Sequence, residues 1–233
     1  GADGVNSRIR QLSGRFPAFR AGFAVEGIVN ANLIGDRRMG FDFHWVNGGY
    51  GWVFPKDGHF NVGLYTSRAD VRIRRRHLAD YASQRIGGPQ PTGVVGYPLG
   101  MGGWRYRPGR GRVLLAGDAA GLVDPLLGEG LYHAIISGQH AASAVGDALD
   151  TGRDACHGYA RRLKTVRRDL LFSQLVAGVF YLLPRAGHLM LSSPAVGYPL
   201  MNGFSRGMPL LNIFCNGYRF WLEGIGGNKR NSF

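Results

Sequence analysis

The stretch "GDAAGLVDPLLGEG", residues 117–130, decides how this chain is read. It follows Val113–Ala116, a short, wholly apolar run of the kind found in a parallel strand buried on both faces. The predicted strand ends at Gly117, and a carboxylate, Asp118, emerges at its carboxyl edge, where doubly wound sheets bind nucleotides. An aspartate there accepts hydrogen bonds from sugar-type hydroxyls, and small residues such as Ala119 let backbone approach a ligand. Pro125 stiffens the loop, and Gly128-Glu129-Gly130 opens a helix predicted over Glu129–Leu149, whose free N–H groups face whatever lies in front. A plain strand–turn–helix connection with a capping aspartate gives the same local pattern, so both possibilities stay open for this stretch taken alone.

The first ten residues, "GADGVNSRIR", repeat the theme. Asp3 stands between glycines at the end of a strand, with Ser7 one helical turn on and Arg8 and Arg10 nearby. A glycine turn with a helix cap explains that segment equally well. Between the two segments, residues 22–29, 40–46, 50–54 and 59–66 read as strands separated by glycine and Asp-Gly turns. A helix is predicted over Val71–Ile86. After Asp154 the chain reads as helical, broken at Pro184, Pro194, Pro199 and Pro209.

Within the strand region, "FDFHWVNGGYGWVFPK" (41–56) alternates Phe41, Phe43 and Trp45, then Tyr50, Trp52 and Phe54, and ends on Pro55 and Lys56. A two-residue turn at Asn47-Gly48 or Gly48-Gly49 places both aromatic sets on one sheet face. In the second register Trp45 faces Trp52 and Phe43 faces Phe54. The opposite face of the hairpin carries Asp42, His44, Gly51 and Val53 and is far less apolar. The aromatic face must be covered by protein, cofactor or substrate.

The chain has 233 residues, of which 45% are hydrophobic and 18% charged, which is the composition of a folded globular protein. Its 28 basic and 15 acidic residues give a net charge of +13, almost all from arginine, since Lys56, Lys164 and Lys229 are the only lysines. That balance favours anionic partners such as phosphates, diphosphates or acidic lipid surfaces. Nucleic acid is not expected, because no helix-turn-helix, zinc or RNA-binding signature occurs. Cys156 and Cys215 lie far apart without a CxxC, so neither a disulfide framework nor a metal site is expected, and a reducing cytoplasm is the default compartment. Arg161, Arg162, Lys164, Arg167 and Arg168 precede the apolar run Leu170–Leu183, which is too short to span a bilayer. That combination fits an amphipathic element meeting the inner face of a membrane peripherally, but a solvated basic face before a core helix fits it somewhat better.

Taken in order, these segments resemble flavin-dependent oxidoreductases. "GADGxxSxxR" resembles the second FAD fingerprint of the group that includes the aromatic hydroxylases, and "GDAAGxxDPxxGEG" the third. Tyr50-x-Trp52-x-Phe54-Pro55-Lys56, with Gly63 following, resembles the YxWxFPK…G signature of the geranylgeranyl reductase family. The resemblance implies an α/β fold (α+β overall). Residues 1–20 and 101–150 would be segments of a partial, doubly wound FAD-binding domain, 21–100 an inserted antiparallel substrate-binding domain, and 151–233 a helical region. It implies a FAD enzyme that hydrogenates carbon–carbon double bonds of an isoprenoid lipid, drawing on NAD(P)H or a reduced electron carrier. Asp3, Gly117, Asp118, Ala119, Pro125, Gly128, Glu129 and Gly130 would serve FAD. Phe43, Trp45, Tyr50, Trp52, Phe54, Pro55 and Lys56 would border the prenyl cavity. No residue is singled out as the proton donor. The family's opening GxGxxG turn is absent, so either the sequence is a fragment or a separate chain supplies that half. A flavin monooxygenase of the same superfamily and a non-catalytic truncated product are the alternatives.

Overall fold

The computed structural model describes residues 1–14, 16–17, 19–30, 38–87, 89–206 and 208–217. Lys229 and the rest of the predicted helical region beyond 217 lie outside these residues. The fold is mixed α/β, built on a five-stranded antiparallel sheet. Strands β1 (Arg20–Asn30), β2 (Gly40–Phe43), β3 (Gly49–Lys56), β4 (His59–Thr66) and β5 (Thr92–Met101) lie in the order β2-β3-β4-β1-β5. β3 and β4 form a hairpin over Asp57-Gly58, with Gly58 at φ 72°. Pro55 lies within β3, beyond the positions that β2 pairs, so its missing N–H leaves no ladder bond unmade. β5 was not foreseen from sequence, because Gly93, Gly96, Pro98 and Gly100 break its pattern. It is an edge strand bonded to β1, a place where proline is tolerated.

Both faces of this sheet are apolar, a correction to the expectation drawn from the β2–β3 hairpin alone. Across β1, β3 and β4 the face opposite the aromatics carries Val25, Val29, Val53, Phe60, Val62 and Leu64. It packs against Leu78, Tyr81 and Ala82 of helix α2 (Arg75–Ile86) as a closed core. α2 starts four residues later than predicted. Gly51 is required there, since a Cβ on it would lie 2.5 Å from the Tyr81 ring. The Tyr81 hydroxyl donates to Asp42 Oδ2 at 2.7 Å, and Arg85 Nε reaches the same oxygen at 2.9 Å.

The β2–β3 register differs from both predicted turns. Phe43 pairs with Tyr50 and Phe41 with Trp52, so six residues, 44–49, separate the paired positions. Six is even, and the aromatics of β2 and β3 therefore still share a face. Trp45 does not join them. His44 adopts φ 68°, the chain leaves the strand there, and Trp45 crosses to the other side, where its ring lies 5.0 Å from that of Tyr81.

The second layer gathers around Val113–Ala116. Val113–Leu114 forms β7, paired antiparallel with β6 (Gly109–Arg110) and only half-buried, whereas Leu115 is fully buried. On its other side the Gly1 amine donates to Leu114 O at 2.6 Å and Ala116 N donates to Gly1 O at 2.9 Å. Those two bonds are the ones a residue makes with a parallel neighbour. Asp3 and Asp118 therefore leave the same edge, two and three residues beyond the bonded pair.

Helix α1 (Arg8–Ser13) follows Asp3, and the other helices close this layer: α3 (Leu131–Thr151), α4 (Ala155–Arg162), α5 (Lys164–Leu182), α6 (Pro184–Ser192), α7 (Pro194–Ser205) and α8 over 210–217. Pro184 and Pro194 start helices, the first-turn position that proline suits. Pro199 does not break the chain as expected but lies inside α7.

Leu78 is fully buried between α2 and the sheet. Leu78→Ala is expected to lower stability by about 2–5 kcal/mol in equilibrium denaturation, the usual result of emptying such a site.

Candidate functional site

The loop over residues 124–130 joins the two layers, and almost every polar group in it is held. The carbonyls of Pro125, Leu126 and Leu127 accept the hydroxyls of Tyr65 (2.9 Å), Tyr181 (2.5 Å) and Tyr50 (2.6 Å) in turn. The amides of Leu126 and Leu127 donate to Asp124 Oδ1 at 2.9 and 2.8 Å, and the Ser173 hydroxyl of α5 donates to Asp124 Oδ2. Gly128 N donates to Asp124 O, and Asp124 N to Glu129 O. Burial pushes the Asp124 carboxyl above its ordinary pKa, against the opposing pull of Ser173, the two amides and His133. Burial likewise raises the three tyrosines, which keeps them as donors. Gly128 has φ 69°, and a Cβ on it would lie 2.8 Å from the Tyr65 ring, so only glycine closes this loop.

Asp118 lies in the short 3₁₀ turn Gly117–Ala120, whose first amide, Gly117 N, donates to Ser137 Oγ at 2.9 Å. Among the described residues its half-buried carboxylate accepts Gly100 N at 3.4 Å. Desolvation raises its pKa, with Gly100 opposing and the charge of Glu129 adding to the rise. A Cβ on Gly130 would lie 3.3 Å from Asp118 Oδ1, so glycine keeps this carboxylate open. Gly130 is also the N-cap of α3 and supplies no capping side chain. Glu129 Oε1 accepts Tyr132 N at 2.8 Å and so takes up one of the free amides at that helix start. Its charge, on a side chain 44% exposed, works against an anion at the same place.

Asp3 is committed locally. Its carboxylate accepts Ser7 Oγ at 2.6 Å, Arg8 N at 2.8 Å and Ile9 N at 3.3 Å, which fixes the start of α1 and holds its pKa below the ordinary range.

The aromatics predicted to line a cavity divide into groups. Tyr50 and Trp52 are buried with Tyr65, Met101 and Val123 in one cluster, and Phe43 and Phe54 pack half-buried against it. Phe43 also meets Phe180 of α5 edge-on at 5.1 Å. Trp45 lies on the opposite face, Pro55 is half-buried, and Lys56 is exposed at the end of β3.

Gly63, opposite Trp52, explains the glycine of the signature. A Cβ there would lie 2.0 Å from the indole, which crosses it to donate from Nε1 to Asn61 Oδ1 at 2.6 Å. Asn61 Nδ2 in turn donates to Glu26 Oε2 at 3.0 Å. Glu26 is the one carboxylate that the described strands place on the aromatic face. Around it Ile28, Val95 and Tyr97 are 42–54% exposed, leaving an open apolar floor, and Phe41 at the far edge of the same face is 38% exposed.

Asp124, Tyr65, Tyr181, Asn61 and Glu26 escaped the sequence reading. Asp124 and Pro125 together matched the motif, but tyrosine partners 55–77 residues away carry no local signal.

The residues present fit one end of FAD. Asp118, half-buried, with Gly100 N as its long donor among the described residues and with a helix start beside it that only Glu129 partly caps, suits ribityl hydroxyls. A pyrophosphate loop is not among the described residues.

No family model matches the chain. It is 32% identical, over 84% of its length, to an uncharacterised protein of Methanosarcina barkeri and covers 52% of that protein. It is 31% identical, over 72% of its length, to digeranylgeranylglycerophospholipid reductase 1 of Methanopyrus kandleri and covers 48% of it. The chain thus spans about half the length of the curated relatives it matches. Among solved structures, a geranylgeranyl bacteriochlorophyll reductase-like protein of Thermoplasma acidophilum superposes with a TM-score of 0.69 at 23% identity, over 78% of this chain and 49% of that one. That superposition extends the likeness to the fold.

The raised pKa of Asp118 has a consequence for stability. The folded state holds the Asp118 proton more tightly than the unfolded chain, so this group favours folding below its ordinary value of 3.8, and that contribution is lost as pH rises through the folded value. Asp118→Asn is therefore expected to have a higher melting temperature than wild type at neutral pH without ligand. The gap should close as pH falls below 3.8, as read by thermal denaturation across pH.

Proposed function

The chain belongs to the geranylgeranyl reductase family, and from that premise we propose that it forms the substrate-facing part of a FAD-dependent oxidoreductase that hydrogenates carbon–carbon double bonds of an isoprenoid lipid. One contact carries the proposal. Tyr50, the first residue of the YxWxFPK signature, donates its hydroxyl at 2.6 Å to Leu127 in the loop of the GDAAGxxDPxxGEG motif. Two motifs far apart in sequence thereby share one site, with an apolar floor on one side and Asp118 on the other.

Reduced FAD, when bound, supplies hydride to an alkene carbon. The protein's own share is positional. Asp118 and the start of α3 hold the ribityl side. Phe41, Phe54 and the exposed residues of β1 and β5 give an extended chain an apolar bed and exclude water from it. The Trp52–Asn61–Glu26 chain keeps the indole flat over Gly63. Glu26, accepting Asn61 Nδ2, anchors that chain at the floor.

The reductant in this account is NAD(P)H or a reduced electron carrier, and the place of action is the cytoplasm at the inner face of a membrane. Because the matched relatives are longer, a strand–GxGxxG–helix segment outside this sequence, on the same polypeptide or another, is proposed to supply the pyrophosphate loop.

The test is a flavin fluorescence titration of the protein co-expressed with such a segment. Wild type is expected to retain FAD. Asp118→Ala should weaken binding roughly 10- to 100-fold, the effect of losing hydrogen bonds to a charged group. Equal retention by the variant, or none by wild type, contradicts the proposal.

A further inference from the structure

Helix α5 is apolar on both sides. Its inward side buries Val166, Leu170 and Ala177 together with two polar anchors: Ser173 bonds Asp124, and Asp169 Oδ1 accepts Leu211 N at 2.8 Å. Its outward side presents Leu171 (45% exposed), Leu175 (62%), Val179 (60%) and Leu182 (76%) at three- and four-residue spacing, one continuous stripe. Leu189 on α6 and Met201 on α7 are 73% and 70% exposed. A soluble surface helix normally keeps its outward side polar, and an apolar stretch of this extent marks a binding face.

The charges beside it have one sign. Lys164 and Arg168 continue the α5 stripe through its first turn, and Arg185 follows in α6. No Asp or Glu occurs anywhere in residues 170–217. Among the described residues no single helix is long and apolar enough to cross a membrane. At the edge of the face, Tyr181 and Leu182 border a cavity of about 240 Å³ that also touches Arg20 and Met101, and Met101 belongs to the aromatic cluster.

We propose that the outward face of α5, with the exposed apolar residues of α6 and α7, docks this protein on an anionic lipid bilayer, lying in the interface with its leucines among the acyl chains. The basic first turn meets the headgroups. The inference does not depend on the cofactor assignment, since vesicle binding requires neither FAD nor turnover.

The test is flotation of the purified protein with vesicles of phosphatidylcholine containing phosphatidylglycerol, compared with phosphatidylcholine alone. Wild type is expected to float with the anionic vesicles and to be released by salt. Leu175→Asp with Leu182→Asp should reduce partitioning at least ~10-fold. Lys164→Glu with Arg168→Glu, at solvent-facing positions that no core contact needs, should reduce it roughly fivefold or more per charge. Circular dichroism and the denaturation midpoint should match wild type, and the charge-reversal pair keeps the test valid if the leucine pair unfolds. Absence of wild-type flotation, or flotation unchanged by both pairs, overturns the proposal. So does a wild-type dimer in light scattering that Leu175→Asp dissociates, since a second copy would then cover the face.

Discussion

Three tyrosine hydroxyls on three consecutive carbonyls form the contact on which the rest of this structure depends. A loop that crosses between two layers carries backbone groups that water no longer reaches. Each one left unpaired would cost on the order of 1–3 kcal/mol. Tyr50 and Tyr65 from the sheet and Tyr181 from α5 satisfy the carbonyls of Pro125, Leu126 and Leu127, and Asp124 satisfies the amides. The loop is thereby fixed to both layers, and so is the start of α3 that follows it. A site that must hold two ligands against each other needs such fixity, because displacement of either wall by an ångström costs reactivity.

The sheet works as a partition. One face is sealed by α2 and supplies stability; the other meets the loop at Tyr50 and Tyr65 and runs out to an open floor around Glu26. β1 and β5 slip register between Glu26 and Ile28, a distortion that re-aims side chains where a strand serves a ligand. α5 closes the far end with Phe180 against Phe43 while turning leucines outward. The proposed cofactor side, substrate floor and lipid-facing helix are thus successive faces of one packed unit.

Much of this was legible in the sequence wherever a local rule was in force. Gly117 and Gly128 mark backbone in the left-handed region that glycine favours, and the period of two in Phe41–Phe54 marks a shared sheet face. That face survived a wrong turn length because the true connection is also even. Trp45 was misplaced because one residue, His44, takes a left-handed conformation that its identity does not announce. β5 was hidden by the glycines and proline that an edge strand tolerates. The tyrosine clamp and the Glu26–Asn61–Trp52 chain were invisible because their partners meet through the fold alone. Pro199 shows the same limit, since the packing of α7 overrides a rule that holds for isolated helices.

In the proposed function this site places an isoprenoid double bond where hydride from a reduced flavin reaches it. The most direct measurement is the mass of a geranylgeranyl lipid after anaerobic incubation with the flavin-loaded protein and dithionite. A gain of one pair of hydrogens is expected for each double bond reduced, diminished in Glu26→Gln and in Gly63→Val. Unchanged lipid under these conditions, with oxygen incorporated when air is admitted, would contradict it.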